Sequence, residues 1–97
     1  MCSERADSIM VMPLGRQHQS GPFAQAVSEE IRATMARKRV NGSQLARAMS
    51  VSPSYVSTRL RDTLPFTLND VEAVCQALGL SLEETVAAAA RTAAQAK

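Results

Sequence analysis

Ser54, Ser57, Thr58 and Arg61 follow one another over eight positions, and no acidic residue interrupts them before Asp62. Hydroxyls and a guanidinium at this spacing are hydrogen-bonding groups with no histidine or lysine base in the same segment. If the segment is helical, each residue turns by about 100°. Val56 and Leu60 then share one side, Ser54, Thr58 and Arg61 lie opposite, and Ser57 stands on the flank. A face built for solubility more usually carries Glu–Lys pairs. Short hydroxyls let a helix sit deep in a DNA major groove, and an arginine there takes guanine bidentately or holds a phosphate. A polar solvated face on any small helical domain uses the same residue types and stands as the plain alternative. No Ser/His/Asp set, glycine-rich phosphate loop or cluster with metal-ligand spacing occurs elsewhere. The reading therefore predicts no enzyme activity, no metal and no cofactor.

The elements that would hold this face are marked by their ends. Asn41 is placed to cap one helix, with Gln44 three residues on as a capping-box partner. Leu45 and Met49 fall on one side of it, with Ala46 beside Leu45. Ser52 caps the next helix, and Pro53 sits at its first position, where the missing N–H costs nothing. Upstream, Phe23, Val27, Ile31 and Met35 recur every four residues and predict a buried stripe on a helix from Phe23 to about Lys38. Arg37, Lys38 and Arg39 close that helix, where cations suit the dipole or touch phosphate.

Downstream, DTLPFT reads as a loop in which Pro65 blocks helix continuation and Phe66 plugs the core. Thr67 caps a fourth helix with Asp70 as its first-turn acid. Leu68, Val71, Val74, Cys75 and Leu78 face inward, and Gly79 provides a left-handed stop. Ser81 and Glu84 form a second capping box that opens a fifth helix through Val86. The terminal AAAARTAAQA run has high helix propensity and little to bury. Its alanine face either pairs across a dimer axis or is a fraying, solvated end.

Length and composition bound the rest. The 97 residues suit a single small core, and at 3% aromatic content that core must be aliphatic. No apolar run approaches the roughly 20 residues needed to span a membrane. Glu4 and Asp7 stand where a signal peptide needs positive charge, and IMVM is too short for its apolar segment. A cytoplasmic location is expected. Cys2 and Cys75 are too few and too far apart for a metal site or redox pair, and Cys75 reads as a buried small hydrophobe. His18, the only histidine, belongs with Cys2 to residues 1–20, read as a flexible arm with a short strand at Ile9–Met12. Residues 21–97 form the folded domain.

Charge is unevenly spread. Residues 21–66 carry seven basic residues (Arg32, Arg37, Lys38, Arg39, Arg47, Arg59 and Arg61) against Glu29, Glu30 and Asp62. Residues 67–97 are net acidic. Such a division favours one face approaching a polyanion while the other turns away; ordinary scatter of surface charge is the rival account.

The segment from Val40 to Arg61 resembles the helix-turn-helix of the Xre family, which includes the lambda and 434 phage repressors and Cro proteins. The likeness rests on Val40-Asn41, the Leu45-Ala46 pair, Met49, Val51-Ser52 and the run Ser54-Tyr55-Val56-Ser57. It extends through the flanking helices, from about Phe23 to Val86. The small Ala46 allows the two motif helices to cross closely. This chain departs from the family pattern at four positions. Gly42 stands where a phosphate-contacting glutamine is common, which passes that contact to Ser43, Gln44 or backbone N–H groups. Ser50 replaces the usual turn glycine, at a cost of roughly 1 kcal/mol for a left-handed residue. Pro53 replaces a base-reading glutamine. Arg59 occupies a commonly apolar position, and Leu60 is expected to take over its packing.

The resemblance implies an all-α, five-helix, lambda-repressor-like DNA-binding domain. It implies a sequence-specific transcriptional regulator, of phage repressor or Cro type, occupying a near-palindromic operator as a homodimer and blocking polymerase. Two recognition helices would lie in successive major grooves of double-stranded DNA, about 34 Å apart. Ser54, Ser57, Thr58 and Arg61 would face base edges, and Gly42, Ser43, Gln44, Ser52, Tyr55 and Thr63 would hold phosphates. Relatives sometimes lay a terminal arm on DNA, a role that only Arg5 and Arg16 here could serve. Two other functions fit the same fold: an antitoxin that holds a toxin protein, and an interaction module that has lost DNA binding, for which Gly42 and Pro53 speak.

Overall fold

The computed structural model describes residues 19–95, in which five helices follow one another: α1 (Pro22–Lys38), α2 (Gly42–Met49), α3 (Pro53–Leu60), α4 (Leu68–Leu78) and α5 (Leu82–Gln95). There is no strand among the described residues, and the architecture is the all-α, five-helix one expected. The arm residues 1–18, including the expected strand at Ile9–Met12, lie outside the described residues. Ser20, assigned to the arm, is already buried at the foot of α1, where the backbone carbonyl accepts from Gln25 Nε2 at 2.9 Å.

The interior is aliphatic. Ile31 from α1, Leu45 and Ala46 from α2, Val56 from α3, Val74 from α4 and Ala89 from α5 are each no more than 1% exposed. Each helix therefore contributes at least one side chain to the same core, which orients α2 and α3 relative to one another and to the long α1. α2 and α3 pack against one another, and Ala46 is buried in the core they share.

Helix ends follow local chemistry. Asn41 Oδ1 accepts from Gln44 N at 2.8 Å, and Gln44 Oε1 accepts from Asn41 N at 2.9 Å, completing the capping box. Ser52 Oγ accepts from Tyr55 N at 3.1 Å with Pro53 at the first turn of α3. Four helices then close in one way. A residue with positive φ (Arg39, Ser50, Asp62 or Gly79) is followed by one whose N–H reaches the carbonyl five positions back. These bonds are Val40 to Met35 and Val51 to Ala46 at 2.9 Å, Thr63 to Thr58 at 3.1 Å, and Leu80 to Cys75 at 2.8 Å. Val40, Val51 and Leu80 then tuck their side chains against the core. Only Gly79 among the four positive-φ residues is a glycine; the other three are held there by these closing bonds against the steric preference of a Cβ.

Three expectations are corrected. Phe23 opens the apolar stripe of α1 in the sequence, yet it is 43% exposed, at the rim of an open apolar cleft that it shares with Leu68, Val71 and Leu82. Leu68, expected inward, is 84% exposed, since α4 turns Asp70, Val71 and Val74 to the interior instead. Of the second capping box only half forms: Ser81 Oγ accepts from Glu84 N at 3.1 Å, and Glu84 is exposed. The terminal alanine run continues as α5 to Gln95, and Ala96 and Lys97 lie outside the described residues. Thr85 and Ala89 are buried and Ala93 is partly so, and α5 packs chiefly along α1. Small side chains there allow close approach within one chain.

Candidate nucleic-acid interface

α3 is eight residues long, begins at the Ser52 cap and is pinned from behind by Val56, which has no exposed surface. The face turned away from Val56 carries the expected reading set, with Ser54 and Arg61 exposed and Ser57 and Thr58 half-buried. Their hydrogen bonds refine what each can offer. Thr58 Oγ1 donates to the Ser54 carbonyl at 2.9 Å, so it presents lone pairs and a methyl group outward rather than an O–H donor. A base-edge amino group or a thymine methyl suits it. Arg61 Nη1 donates to Ser57 Oγ at 2.8 Å, folding the guanidinium back over the helix end. Guanidinium donors on the other nitrogens remain, so Ser57 steadies the arginine that would meet a base or phosphate.

The residues expected to hold phosphate fall into two groups. Gly42, Ser43, Gln44 and Ser52 gather where α2 and α3 begin, with Ser43, Gln44 and Ser52 exposed. Gln44 commits its Oε1 to the cap and keeps its amide nitrogen as the donor. Nothing lies within 4 Å of where a Gly42 Cβ would stand, so packing does not require the glycine, and its absence of side chain bares backbone N–H groups at the start of α2. Thr63 is exposed, but its N–H is bonded to Thr58 O, which leaves the hydroxyl. Tyr55 is different. Its hydroxyl donates to both oxygens of Asp70, at 3.0 and 2.9 Å, and so is already engaged within the domain. Burial, and then the Asp70 carboxylate, push the Tyr55 phenol above its ordinary pKa and keep it protonated as a donor.

Arg59 is also placed otherwise than expected. It is 9% exposed, with its guanidinium carbon 3.7 Å from the centre of the Tyr55 ring and Nε 3.5 Å from Asp70 Oδ2. Leu60, expected to replace it in the core, is only half-buried. Arg37, Lys38, Arg39, Arg47 and Arg61 are exposed and Arg59 is not; of these, Arg37 donates to Thr34 Oγ1 at 2.9 Å and stands beside Glu84 and Arg91 in the cleft between α1 and α5, away from α3. Arg32 leans on Asp62 at 3.7 Å and also donates to the Leu60 carbonyl, tying α1 to the end of α3. Asp62 accepts from the buried Ser28 at 2.7 Å as well. Among these groups, Asp62 and Asp70 are the supporting residues that sequence reasoning missed. The one signal available was a charged residue, Arg59, at a position whose neighbours demanded an apolar one.

Among the described residues no His/Cys/Asp/Glu group could hold a metal ion, and no helix is long and apolar enough to cross a membrane. The sequence model of a family described as "Helix-turn-helix domain" matches residues 26–89, which span all five helices. The chain belongs to the helix-turn-helix domain family. Two crystal structures of the clp gene regulator ClgR from Corynebacterium glutamicum are similar to it in fold and sequence. One is 31% identical, with a TM-score of 0.66 over 76% of this chain and 94% of that one. The other is 30% identical, with a TM-score of 0.68 over 79% and 81%. No curated protein sequence matches the chain. In this helix-turn-helix protein, α2 and α3 are the two helices joined by the tight turn at Ser50 and Val51.

Proposed function

We propose that this protein is a sequence-specific transcriptional regulator that binds operator DNA through α3, as a homodimer of the repressor type found among Xre-family phage repressors and Cro proteins. The observation that carries this reading is α3 itself. It is anchored by the Ser52 cap and Val56, with Ser54 and Thr58 on the side opposite that anchor, Ser57 on the flank and Arg61 exposed at its C-terminal cap. Exposed Lys38, Arg39 and Arg47 add the positive charge that a polyanion requires. The role of ClgR as a clp gene regulator supports regulation of transcription as the use to which that binding is put. Two copies with α3 in successive major grooves would read half-sites about 34 Å apart.

The test is recovery of genomic fragments on the purified protein, followed by titration of the enriched duplex at several salt concentrations. Each phosphate neutralised should add roughly −0.9 to the slope of log K against log salt. Arg61→Ala should weaken binding by roughly 1–3 kcal/mol, and a relaxed sequence preference would assign it to a base rather than a phosphate. Equal affinity of the parent protein for every duplex would refute direct readout.

A further inference from the structure

Asp70 stands where two demands on one carboxylate meet. Its Oδ2 accepts from Thr67 N at 3.0 Å and so completes the cap of α4, while both oxygens receive the Tyr55 hydroxyl from α3. Arg59, one turn beyond Tyr55, lies over the Tyr55 ring and faces the same Oδ2 at 3.5 Å. Both charged side chains are nearly out of solvent, with 11% of Arg59 and 10% of Asp70 exposed. Nothing comparable is required for packing. An apolar residue at position 59 would fill the space, and replacing a buried ion pair by well-packed apolar groups is often neutral or stabilising. The pair is also imperfectly satisfied, since Arg59 Nε has no hydrogen bond. Its distinguishing property is direction: hydrogen bonds and a stacked guanidinium hold only over a narrow range of helix orientation, which aliphatic contact does not.

We infer that Tyr55, Arg59 and Asp70 act together as a clasp that sets the rotation of α3 about its own axis, and with it the sequence discrimination of the DNA-facing side chains. The inference rests on the DNA-binding reading above. Ser54 precedes Tyr55 and Thr58 precedes Arg59 by one residue, so each reader is attached to a clasped neighbour. The helix is short, and Val56 is its one fully buried apolar anchor. A side chain standing roughly 5–6 Å from a helix axis moves by about 1 Å for each 10° of rotation. Recognition groups must be held to within about 0.5 Å and 10–20°. Loss of the clasp therefore spoils readout before it unfolds the domain. Contacts to phosphate by exposed basic residues on α1 and α2 tolerate the same rotation.

The test uses the full chain carrying Arg59→Leu together with Asp70→Asn, which removes both charges and keeps a side-chain oxygen for Thr67 and Tyr55. Binding is measured to a duplex selected by the parent protein from a random library and to a scrambled duplex of equal length. The expected result is a cooperative melt like the parent's, an unchanged salt slope and scrambled-duplex affinity, and a loss of discrimination of about tenfold or more, the scale of one mismatched base pair. Arg59→Lys, which retains the charge near Asp70, should recover part of that loss. If the double variant is molten, Arg59→Met carries the test, because Asp70 keeps its bonds from Tyr55 and Thr67. A folded variant that discriminates as well as the parent overturns the clasp, whereas a parent that binds no duplex overturns the DNA-binding reading beneath it.

Discussion

Ser50 offers a quantitative check on the turn between α2 and α3. It adopts φ 61° and ψ 40°, a left-handed conformation that costs a non-glycine residue roughly 1–2 kcal/mol. Its side chain is exposed, and the bonds that close α2 there are made by the backbone: Ser50 N to Arg47 O at 3.1 Å and Val51 N to Ala46 O at 2.9 Å. Ser50→Gly keeps both bonds and relieves the strain. Against this, glycine has more freedom to lose on folding, worth about 0.4–1 kcal/mol. The net gain should be roughly 0.5–1 kcal/mol, which for a domain of this size raises Tm by about 2–8 °C. Asp62, at φ 63°, is the matched contrast. Asp62→Gly relieves the same strain but removes the Ser28 bond at 2.7 Å and the Arg32 contact at 3.7 Å. A hydrogen bond to a charged group contributes about 1.5–3 kcal/mol. An exposed ion pair adds about 0–1 kcal/mol. Asp62→Gly should therefore destabilise by about 1–2 kcal/mol, the excess of those losses over the strain relieved. Urea titration and calorimetry of the two variants measure the opposite signs. A Ser50→Gly protein no more stable than the parent would refute the strain argument.

Val56→Asp should leave the domain unfolded or molten, because it places an unpaired carboxylate at a site with no exposed surface; an unchanged circular dichroism melt would show that Val56 does not face inward. Deleting residues 88–97 should destabilise the monomer by several kcal/mol, because it removes the buried Ala89 and the last turns that cover α1, and loss of a cooperative transition in chemical denaturation is the readout. Tyr55 is the only tyrosine, and its phenol has a folded pKa above its unfolded value. The associated stability is full below the ordinary phenol value near 10 and is lost as pH rises through the folded value, since the unfolded chain then binds fewer protons. Phenolate absorbance should accordingly appear late in an alkaline titration, together with unfolding, and titration at the ordinary value in a folded protein would contradict the Asp70 bond.

Much of the architecture is written in short-range chemistry. A cap needs one side chain and an N–H three residues away, so Asn41 with Gln44, Ser52 with Pro53, and Thr67 with Asp70 announce their helices without knowledge of anything distant. The outward set on α3 was legible for the same reason, since the helical period alone separates Ser54, Thr58 and Arg61 from Val56. Periodicity says which residues share a face; it does not say how far a neighbour extends over that face. Phe23 and Leu68 fit apolar stripes but border one open apolar cleft, and of the alanines of α5 it is Ala89 that is fully buried, because α1 runs alongside. Arg59 shows the limit most clearly. Its charge predicted surface, yet Asp70 reaches it from across a proline-containing loop, and only the packing of both α3 and α4 on α2 brings a carboxylate close enough to hold a guanidinium out of water.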